Sequence, residues 1–194
     1  MKVHVGCGSI YLNGYLNVDL PLPNVFTTCE RPALVEALAT TEGDYYGRHV
    51  GKSADTLRGG PITQETVCDA YGSFAFLPVR DAVADEILAR QCFEHLSPAE
   101  GSVALRECAR VLKFGGVLRL DLPDPDETLK LYRDTGDEFY IRHLFGPRRD
   151  QYGGHTPYTR TMLTTMAESA GFALEQEEEN IHFYPAFCLR FERA

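Results

Sequence analysis

The stretch VHVGCGSIYLNGYLNVD, residues 3 to 19, decides the fold prediction for this chain. It consists of a short apolar strand, a glycine pair at Gly6 and Gly8, and a second apolar run that ends at Asp19. Glycines let the main chain approach a ligand closely, and an aspartate at the tip of a neighbouring strand can accept hydrogen bonds from both hydroxyls of a ribose. The pattern therefore indicates a ligand that contains a nucleoside.

Composition and charge limit the classes of function. The chain has 194 residues, of which 44% are hydrophobic and 24% are charged, values that are ordinary for a single globular domain over residues 1–194. Its formal net charge of -9 argues against broad nucleic-acid binding, because such binding needs a concentrated basic patch. A local basic cluster at residues 142–149 could receive an anionic acceptor, although a solvated helix end is the simpler interpretation.

Six cysteines are spread along the chain without a CxxC pair or a short metal-ligand spacing. Several of them lie inside apolar runs, which indicates buried free thiols in a reducing compartment. The first residues enter a strand at once, and no run of about 18 apolar residues occurs. We therefore expect a cytoplasmic protein that does not span a membrane.

Strand-like and helix-like segments alternate along most of the chain, which predicts an α/β sheet with helices on its faces. A capping box formed by Ser97 and Glu100 begins one helix, which Gly115 and Gly116 are expected to end. Thr159 is the predicted cap of a later helix. The other predicted helices cover residues 32–39, 125–144 and 160–170.

Residues 21–66 interrupt this alternation. They include the polar, glycine-rich run GDYYGRHVGKSADTLRGGP, residues 43 to 61, which has no sustained periodicity. Long loops on a rigid scaffold often carry binding functions, so we interpret this segment as an insertion or lid. An irregular surface excursion explains it equally well.

The connection between the first two strands is unusually short. Only residues 9–14 separate Gly8 from the second strand, and none of the five residues directly after Gly8 is a glycine. A dinucleotide site normally uses a third glycine and a helix whose N-terminus faces the pyrophosphate, so this connection disfavours a dinucleotide. Parallel neighbours usually need a longer crossover, and we expect a tight one made of a single helical turn.

Two longer segments carry family motifs. Residues 68–87, CDAYGSFAFLPVRDAVADEI, are similar to a D…LPFxDxxFDxI stretch. Residues 89–124, ARQCFEHLSPAEGSVALRECARVLKFGGVLRLDLPD, are similar to an EHL…LRExxRVLKPGGxLxxxxPD run, with Phe114 in place of the usual proline. In this order, and with the glycine turn before them, they resemble the motifs of the class I S-adenosylmethionine-dependent methyltransferases, in particular the type-11-like family.

The resemblance covers residues 3–124 and implies both a fold and a cofactor. The fold is a Rossmann-like, seven-stranded mixed sheet with helices on both faces and an antiparallel last strand. The cofactor is S-adenosylmethionine, which has no phosphate and therefore suits a short glycine turn. The residues implied to bind it are Gly6, Cys7, Gly8, Asp19, Asp69, Ala70, Gln91 and Cys92.

Within this set, the resemblance assigns separate parts of the cofactor to separate residues. Asp19 is expected to bind the ribose hydroxyls through charge-assisted hydrogen bonds, although a turn-capping aspartate would look the same. Asp69 is expected near the adenine amino group, with the backbone of Ala70 near the ring, although a plain strand-end aspartate is an alternative. Gln91 and Cys92 are expected near the methionine end.

Methyl transfer from a sulfonium is an in-line displacement, so the protein mainly aligns donor and acceptor. If the acceptor is a hydroxyl, His95 beside the expected cofactor site and His155 in the segment YGGHTPYT are the candidate bases. Plainer interpretations are that His95 ties a loop to a helix and that His155 is an ordinary loop residue. No metal is expected, because Asp124 and Asp126 are typical charges at a helix start.

Three functions stay open at this point. The first is methyl transfer to an oxygen or nitrogen of a small-molecule or saccharide acceptor. The second is a module that binds S-adenosylmethionine without catalysis, and the third is a nicotinamide-dependent oxidoreductase. Because the cofactor-capping N-terminal helices of many such enzymes do not precede Val3, we expect residues 21–66 or a partner subunit, including a second copy of the chain, to cap the cofactor.

Overall fold

The fold is described by a computed structural model over residues 1–45, 65–145 and 154–194. Its strands are β1 (Lys2–Val5), β2 (Tyr11–Leu12), β3 (Tyr15–Asp19), β4 (Val25–Thr27), β5 (Ala39–Thr40), β6 (Thr66–Cys68), β7 (Ala70–Tyr71), β8 (Ala84–Arg90), β9 (Leu112–Pro123), β10 (Phe172–Glu178) and β11 (Ala186–Arg193). Its α-helices are α1 (Pro32–Leu38), α2 (Pro98–Val111), α3 (Pro125–Thr135), α4 (Glu138–Phe145) and α5 (Arg160–Ser169).

Seven of these strands form one sheet in the order β10, β11, β9, β8, β1, β3, β7. β1 pairs in parallel with β3 and with β8, β9 is parallel to β8, and β11 is antiparallel to both β9 and β10. The predicted mixed seven-stranded sheet with an antiparallel last strand is therefore confirmed. Because the chain leaves β1 on one side and returns to it on the other, the carboxyl ends of β1, β3 and β8 border one crevice, where open α/β sheets bind ligands.

One face of this sheet carries the main hydrophobic core. Alternate residues of the central strands, among them Val3, Ile87 and Leu120, are fully buried there. The helices α2 and α5 pack on the same face through side chains such as Leu105 and Leu163. This apolar side supplies most of the burial that stabilises the domain.

The two packed helices begin where the sequence predicts. Ser97 Oγ accepts a hydrogen bond from the amide of Glu100 at 3.4 Å, and Glu100 Oε2 accepts one from the amide of Ser97 at 2.8 Å. Thr159 Oγ1 accepts a hydrogen bond from the amide of Met162 at 3.2 Å. These caps satisfy donors that a helix start leaves without partners, so both helix starts are fixed locally.

The opposite face of the sheet is polar although it is buried. His4, Asn17 and Arg90 are at most 6% exposed. Tyr45 lies over them, with its hydroxyl 3.0 Å from His4 Nε2 and its ring centroid 4.9 Å from the guanidinium carbon of Arg90. Further along the sheet, Arg119 pairs with Glu42, Glu86 and Glu178. Hydrogen bonds and ion pairs therefore stabilise this face together with a small apolar cluster that includes Tyr45 and Leu88, whereas apolar packing dominates the other face.

The short connection between β1 and β3 contains a strand, so the predicted helical turn is wrong. Its strand β2 pairs in parallel with β5. The reason lies in the Asn17 side chain, whose Oδ1 accepts from the amide of Leu12 at 2.9 Å and whose Nδ2 donates to the carbonyl of Leu12 at 3.0 Å. Because this side chain satisfies both backbone groups of Leu12, the connection is stable in an extended conformation.

Two predicted helix boundaries are also wrong. Residues 125–144 form two helices, because Gly136 adopts a left-handed conformation with φ of 69° and ends α3. The helix α2 ends at Val111, before the glycines expected to stop it, because the chain enters β9 directly. Gly115, with φ of 71°, instead lies in the irregular first part of β9, where the register with β8 shifts.

The predicted insertion is described only in part. Its first half forms β4, α1, β5 and a 3-10 turn at Glu42–Asp44, and β4 pairs in parallel with β6. Residues 46–64 lie outside the described residues. None of the helices in the described ranges combines the length and the apolar character that crossing a membrane would need.

Candidate functional site

The glycine turn after β1 has a conformation that other residues resist. Gly6 and Gly8 have φ values of 67° and 52°, in the left-handed region. The amides of Gly6 and Cys7 both donate to the carbonyl of Val18, at 2.9 and 3.3 Å, which fixes the turn against β3. A Cβ added to Gly6 would lie 2.1 Å from Cys92 Sγ, so the ends of β1 and β8 can approach this closely only with glycine at position 6.

Asp19 faces this turn from the end of β3. Its Oδ2 accepts a hydrogen bond from the amide of Gly8 at 2.6 Å, and its Oδ1 accepts one from the amide of Leu20 at 2.7 Å. Cys7 Sγ lies 3.7 Å from the same carboxylate. Burial raises the pKa of Asp19, whereas these hydrogen bonds act to lower it. The carboxylate is thus held in one orientation, with lone pairs left to accept further donors.

The next predicted pair lies on the same edge of the sheet. Ala70 pairs with Val18 in the short strand β7. The carboxylate of Asp69 accepts hydrogen bonds from the Tyr11 hydroxyl and the Asn17 amide, both at 2.8 Å. Burial and the hydrogen bond to this carboxylate raise the pKa of Tyr11 to about 12. Asp69 therefore fixes the turn that carries Tyr11, and its contact with adenine stays a prediction.

Gln91 and Cys92 follow β8, across the crevice from Asp19. Gln91 has a φ of 51°, a left-handed conformation that costs a non-glycine residue about 1 to 3 kcal/mol. It is held there because its amide donates to the carbonyl of Asp121 at 2.8 Å and its Nε2 donates to Asp121 Oδ1 at 3.1 Å. Backbone strain of this kind is concentrated at functional sites, and here it lies beside the glycine turn.

Asp121, at the end of β9, joins several parts of the site. Besides Gln91, it accepts hydrogen bonds from Arg90 Nη1 at 3.2 Å and from His182 Nε2 at 2.7 Å. Sequence reasoning missed Arg90 and His182. The signal for Arg90 was a charged residue directly after the apolar residues 87–89, and the signal for His182 was the pair of aromatic residues that follows it.

Asp124, the residue directly after β9, has partners within the protein. Asp124 caps α3 by accepting from the amides of Asp126 and Glu127, at 3.0 and 3.2 Å, which confirms the prediction of a helix start. Its other oxygen accepts from Arg160 at 2.8 Å. The carboxylate of Asp124 therefore caps α3 and pairs with Arg160.

The two predicted bases lie together. His95 is in the 3-10 turn Phe93–His95 directly after Cys92, and His155 lies before α5. Their ring centroids are 4.7 Å apart with an edge-on geometry of 84°. Burial, with the neighbouring His95, lowers the pKa of His155 to about 4. The imidazole of His155 is therefore uncharged at neutral pH and can accept a proton or a ligand.

Glu94 completes this group. Its side chain is buried, and burial raises its pKa to about 8. The amide of Thr156 donates to the carbonyl of Glu94 at 2.7 Å, and the amide of His155 donates to the carbonyl of Phe145 at 3.0 Å. These main-chain bonds join the segment that carries His155 to the 3-10 turn and to the end of α4.

An aromatic wall lies beside the histidines and consists of Phe139, His143, Phe183 and Tyr184. Phe139 stacks on His143 with ring centroids 6.0 Å apart and on Phe183 with centroids 6.4 Å apart. Tyr184 lies 4.0 Å from His143 and 4.7 Å from His182, centroid to centroid, which links the wall to Asp121. Phe183 is 56% exposed, so the wall offers an aromatic face to solvent. Sequence reasoning missed this wall because its two halves lie about 40 residues apart in the chain.

Only part of the basic cluster at residues 142–149 lies within the described residues. Arg142 is exposed and forms an ion pair with Glu138 at 2.9 Å, as expected for a solvated helix end. Its neighbours Arg148 and Arg149 lie outside the described residues.

Comparisons with known proteins give the family from a sequence profile and the fold from solved structures. The sequence profile of a family described as a methyltransferase domain matches residues 3–120 of the chain. No curated protein sequence matches the chain significantly.

The following solved structures have a similar fold and are distant from this chain in sequence. A Methanosarcina mazei protein described as a SAM-dependent methyltransferase is 19% identical, with 99% of this chain and 91% of that one covered and a TM-score of 0.58. The magnesium protoporphyrin IX methyltransferase of Synechocystis, solved with bound SAH, is 14% identical, with 100% and 74% covered and a TM-score of 0.53. A chain from the Haloferax volcanii complex of a methyltransferase activator with its partner is 13% identical, with 99% and 81% covered and a TM-score of 0.52.

Proposed function

Because the chain belongs to the class I S-adenosylmethionine-dependent methyltransferases, we propose that it methylates an oxygen or nitrogen atom of a small-molecule or saccharide acceptor. The observation that carries this proposal is the contact between His95 and His155, whose ring centroids lie 4.7 Å apart directly after the carboxyl end of β8. Catalytic residues of open α/β sheets collect at this end of the strands.

The residues at the crevice fit a nucleoside that carries an amino-acid tail. We assign the ribose hydroxyls to Asp19, whose carboxylate is already oriented by the amide of Gly8 at 2.6 Å. The bare backbone of Gly6 to Gly8 faces the amino-acid end, and Gln91 with Cys92 lies towards the methionine end. When bound in this crevice, S-adenosylmethionine supplies an activated methyl group on a sulfonium.

The adenine end is assigned to the edge of the sheet next to Asp19. Ala70 pairs with Val18 there and brings its backbone to the same side as the ribose site. Asp69 lies one residue earlier and is assigned to the adenine amino group, with its contacts to Tyr11 and Asn17 fixing its orientation.

The protein's own contribution to the reaction is alignment and proton removal. The lone pair of the acceptor forms a bond to the methyl carbon while the carbon–sulfur bond breaks, and the sulfur retains that electron pair. The acceptor proton leaves through His95 or His155 to solvent. An uncharged imidazole is required for this step, and the low pKa of His155, about 4, keeps its ring uncharged at neutral pH.

The aromatic wall supports an acceptor of small size. Phe139 and Phe183 stack at 6.4 Å and offer faces that pack against a planar molecule or against the apolar face of a sugar ring. The wall is joined to the cofactor side through His182 and Asp121, at 2.7 Å. We therefore assign the acceptor to the space between this wall and the two histidines.

The cover over the cofactor is assigned to residues 21–66 or to a partner subunit. In the described part of this segment, Val25 packs with Cys7 and Cys68 in one buried cluster, so the segment already contacts the glycine turn. The Tyr71 hydroxyl donates to the carbonyl of Val25 at 3.0 Å and holds it there. Light scattering with and without S-adenosylhomocysteine separates the two cases, because it detects whether chains associate when the ligand binds. Only if a second copy covers the cofactor should the affinity for S-adenosylhomocysteine depend on protein concentration.

The cysteines support a reducing compartment such as the cytoplasm. All six are free thiols, and four of them, Cys7, Cys68, Cys108 and Cys188, are buried. Burial raises the pKa of each buried thiol, which makes these cysteines inert packing residues.

Calorimetric titration tests the cofactor assignment. Asp85→Ala should bind S-adenosylmethionine and S-adenosylhomocysteine with the same affinities as the wild type. Asp19→Ala should bind each of them at least tenfold more weakly than the wild type does. Asp85 is the matched control because it lies at the amino end of β8, is half exposed and pairs with Lys113 at 2.6 Å.

Methyl transfer is then measured on a panel of phenols, amines and sugars with a labelled methyl donor. Transfer that depends on Asp19 supports the proposal. Binding of the donor without transfer to any of these acceptors would favour a module that only binds the cofactor. Binding of NAD with no binding of either sulfur compound would favour an oxidoreductase.

A further inference from the structure

Three side chains beside the crevice offer a set of metal ligands. One ligand atom from each of Glu94, His95 and His155 lies within 4.8 Å of the other two. The side chain of Glu94 is buried, and in the described part of the chain its Oε2 has no hydrogen-bond partner. His155 Nδ1 is likewise buried without a described partner. A buried acceptor left without a partner costs about 1 to 3 kcal/mol, and a bound cation would remove that cost.

We propose that Glu94, His95 and His155 bind one divalent transition-metal ion, which in turn binds the hydroxyl of the methyl acceptor. This inference rests on the proposed function and adds to it the identity of the acceptor atom, an oxygen. Two imidazoles and one carboxylate suit Zn²⁺, Mn²⁺ or Fe²⁺ better than Mg²⁺ or Ca²⁺, which prefer oxygen ligands throughout. Three protein ligands also leave positions for a substrate.

The backbone makes this ligand set compact. The amide of Thr156 donates to the carbonyl of Glu94 at 2.7 Å, so the two segments that carry the ligands are bonded to each other. The Tyr158 hydroxyl donates to the carbonyl of Leu96 at 3.0 Å and fixes them a second time. Ligand atoms about 2.0 to 2.2 Å from one ion lie within about 4 Å of each other, so small side-chain rotations close the observed spread.

The position of the set suits the reaction. The amide of His95 donates to the carbonyl of Cys92 at 3.2 Å, so the ligands begin immediately after the residue assigned to the methionine end. On the other side, the segment of His155 is bonded to Phe145 at the end of α4, the helix that supplies Phe139 to the aromatic wall. An acceptor on the wall can therefore present a hydroxyl to the ion and to the methyl group together.

The ion would provide what the histidines do not. A histidine whose lone pair binds the ion cannot also accept the proton of the acceptor, so in this site the ion activates the hydroxyl instead. Coordination to a divalent ion lowers the pKa of a bound hydroxyl by several units, as it does for bound water. The hydroxyl proton then leaves to solvent, the oxygen forms its bond to the methyl carbon, the carbon–sulfur bond breaks, and the sulfur keeps the electron pair.

Metal binding is tested directly, without relying on activity. The protein is dialysed against EDTA and titrated with Zn²⁺, Mn²⁺ and Co²⁺ by calorimetry, with the Co²⁺ absorption spectrum as a second readout. One ion per chain is expected for the wild type and for His4→Gln, a buried histidine on the polar face of the sheet that serves as the matched control. Glu94→Gln and His155→Gln should each weaken binding at least tenfold.

Each outcome decides the inference. The inference is overturned if the wild type binds none of the three ions at one per chain, or if folded His155→Gln binds them as the wild type does. Thermal melts establish whether the variants fold. If they do not fold, the stoichiometry of the wild type decides alone. Calorimetry with S-adenosylhomocysteine in EDTA separates this inference from the proposed function. Cofactor binding with full methyl transfer in EDTA leaves the proposed function intact and excludes the metal.

Discussion

The amide of Gly8 donates a 2.6 Å hydrogen bond to the carboxylate of Asp19, so the glycine turn after β1 and the acidic tip of β3 form one unit. The bond has two consequences for ligand binding. It keeps the left-handed turn at Gly8 in place, and it keeps the carboxylate pointed at the crevice before any ligand arrives. Preorganisation of this kind lowers the entropy that binding must overcome.

Removing the charge at position 19 should lower the affinity for the cofactor more than it lowers the stability of the fold. In Asp19→Asn the side chain keeps its size and one oxygen, but it loses the charge-assisted hydrogen bonds to a ribose, worth about 1.5 to 3 kcal/mol. We expect affinity for S-adenosylhomocysteine to fall roughly 10-fold to 100-fold, measured by calorimetry. An unchanged affinity would mean that Asp19 acts only as a turn cap.

The two glycines of the turn should respond differently to alanine. In Gly6→Ala the new Cβ meets Cys92 Sγ at 2.1 Å and the residue keeps an unfavourable positive φ, so the free energy of unfolding should fall by about 2 to 5 kcal/mol. In Gly8→Ala the Cβ meets no described atom within 4 Å, and the loss should be only about 1 to 2 kcal/mol. Urea denaturation compares them, and equal losses would contradict this account of the turn.

Stability should decrease below neutral pH because of buried histidines. Burial lowers the pKa of His4 and of His143 to about 4 each, below the unfolded value of about 6.5. The unfolded chain therefore binds more protons between these values, so stability is complete above about pH 6.5 and is lost as pH falls towards 4. At about pH 5 each histidine should account for a loss of about 2 kcal/mol.

Urea denaturation at several pH values measures this loss. His4→Gln should show a shallower decline with falling pH than the wild type, because the glutamine does not titrate. The remaining decline should belong to His143, to His155, whose pKa is also lowered to about 4, and to carboxylates. A variant whose decline parallels that of the wild type would show that His4 gains no proton on unfolding in this range.

Truncating Phe183, the exposed residue of the aromatic wall, should weaken binding of the acceptor and leave binding of the cofactor unchanged. Phe183 is 56% exposed, so Phe183→Ala should change stability little, yet it removes the stacking partner of Phe139. We expect the KM for the acceptor to rise roughly 3-fold to 10-fold with affinity for S-adenosylhomocysteine unchanged. The matched control is Phe76→Ala, which is 72% exposed and lies in the loop before β8. Equal effects of the two variants would argue against an acceptor at the wall.

Much of the fold follows from local features of the sequence. The capping box of Ser97 and Glu100 and the cap at Thr159 act over a few residues, and both are confirmed. The helical turn predicted between β1 and β3 is wrong for a reason that is not local. Asn17 satisfies both backbone groups of Leu12 from a strand further along, and no periodicity in the loop reports that contact.

The site is predictable in its parts and much less so in its assembly. The glycines and Asp19 are recognisable because their spacing belongs to one continuous stretch. His95 and His155 could be named as separate candidates, but their contact depends on how the segment before α5 packs against the turn after β8. The burial of Glu94 and the wall formed by Phe139 and Phe183 depend on the same packing.

The carboxylate of Asp121 should make the proposed donor and acceptor sites thermodynamically dependent on each other. Its Oδ1 accepts hydrogen bonds from Gln91, which we assign to the donor, at 3.1 Å and from His182, which lies beside the proposed acceptor site, at 2.7 Å. A displacement of Gln91 on filling the donor site changes the geometry available to His182, and the reverse holds equally, because linkage is reciprocal. Donor and acceptor should therefore bind with a measurable interaction energy, and Asp121→Asn should reduce it while leaving each site with its own contacts.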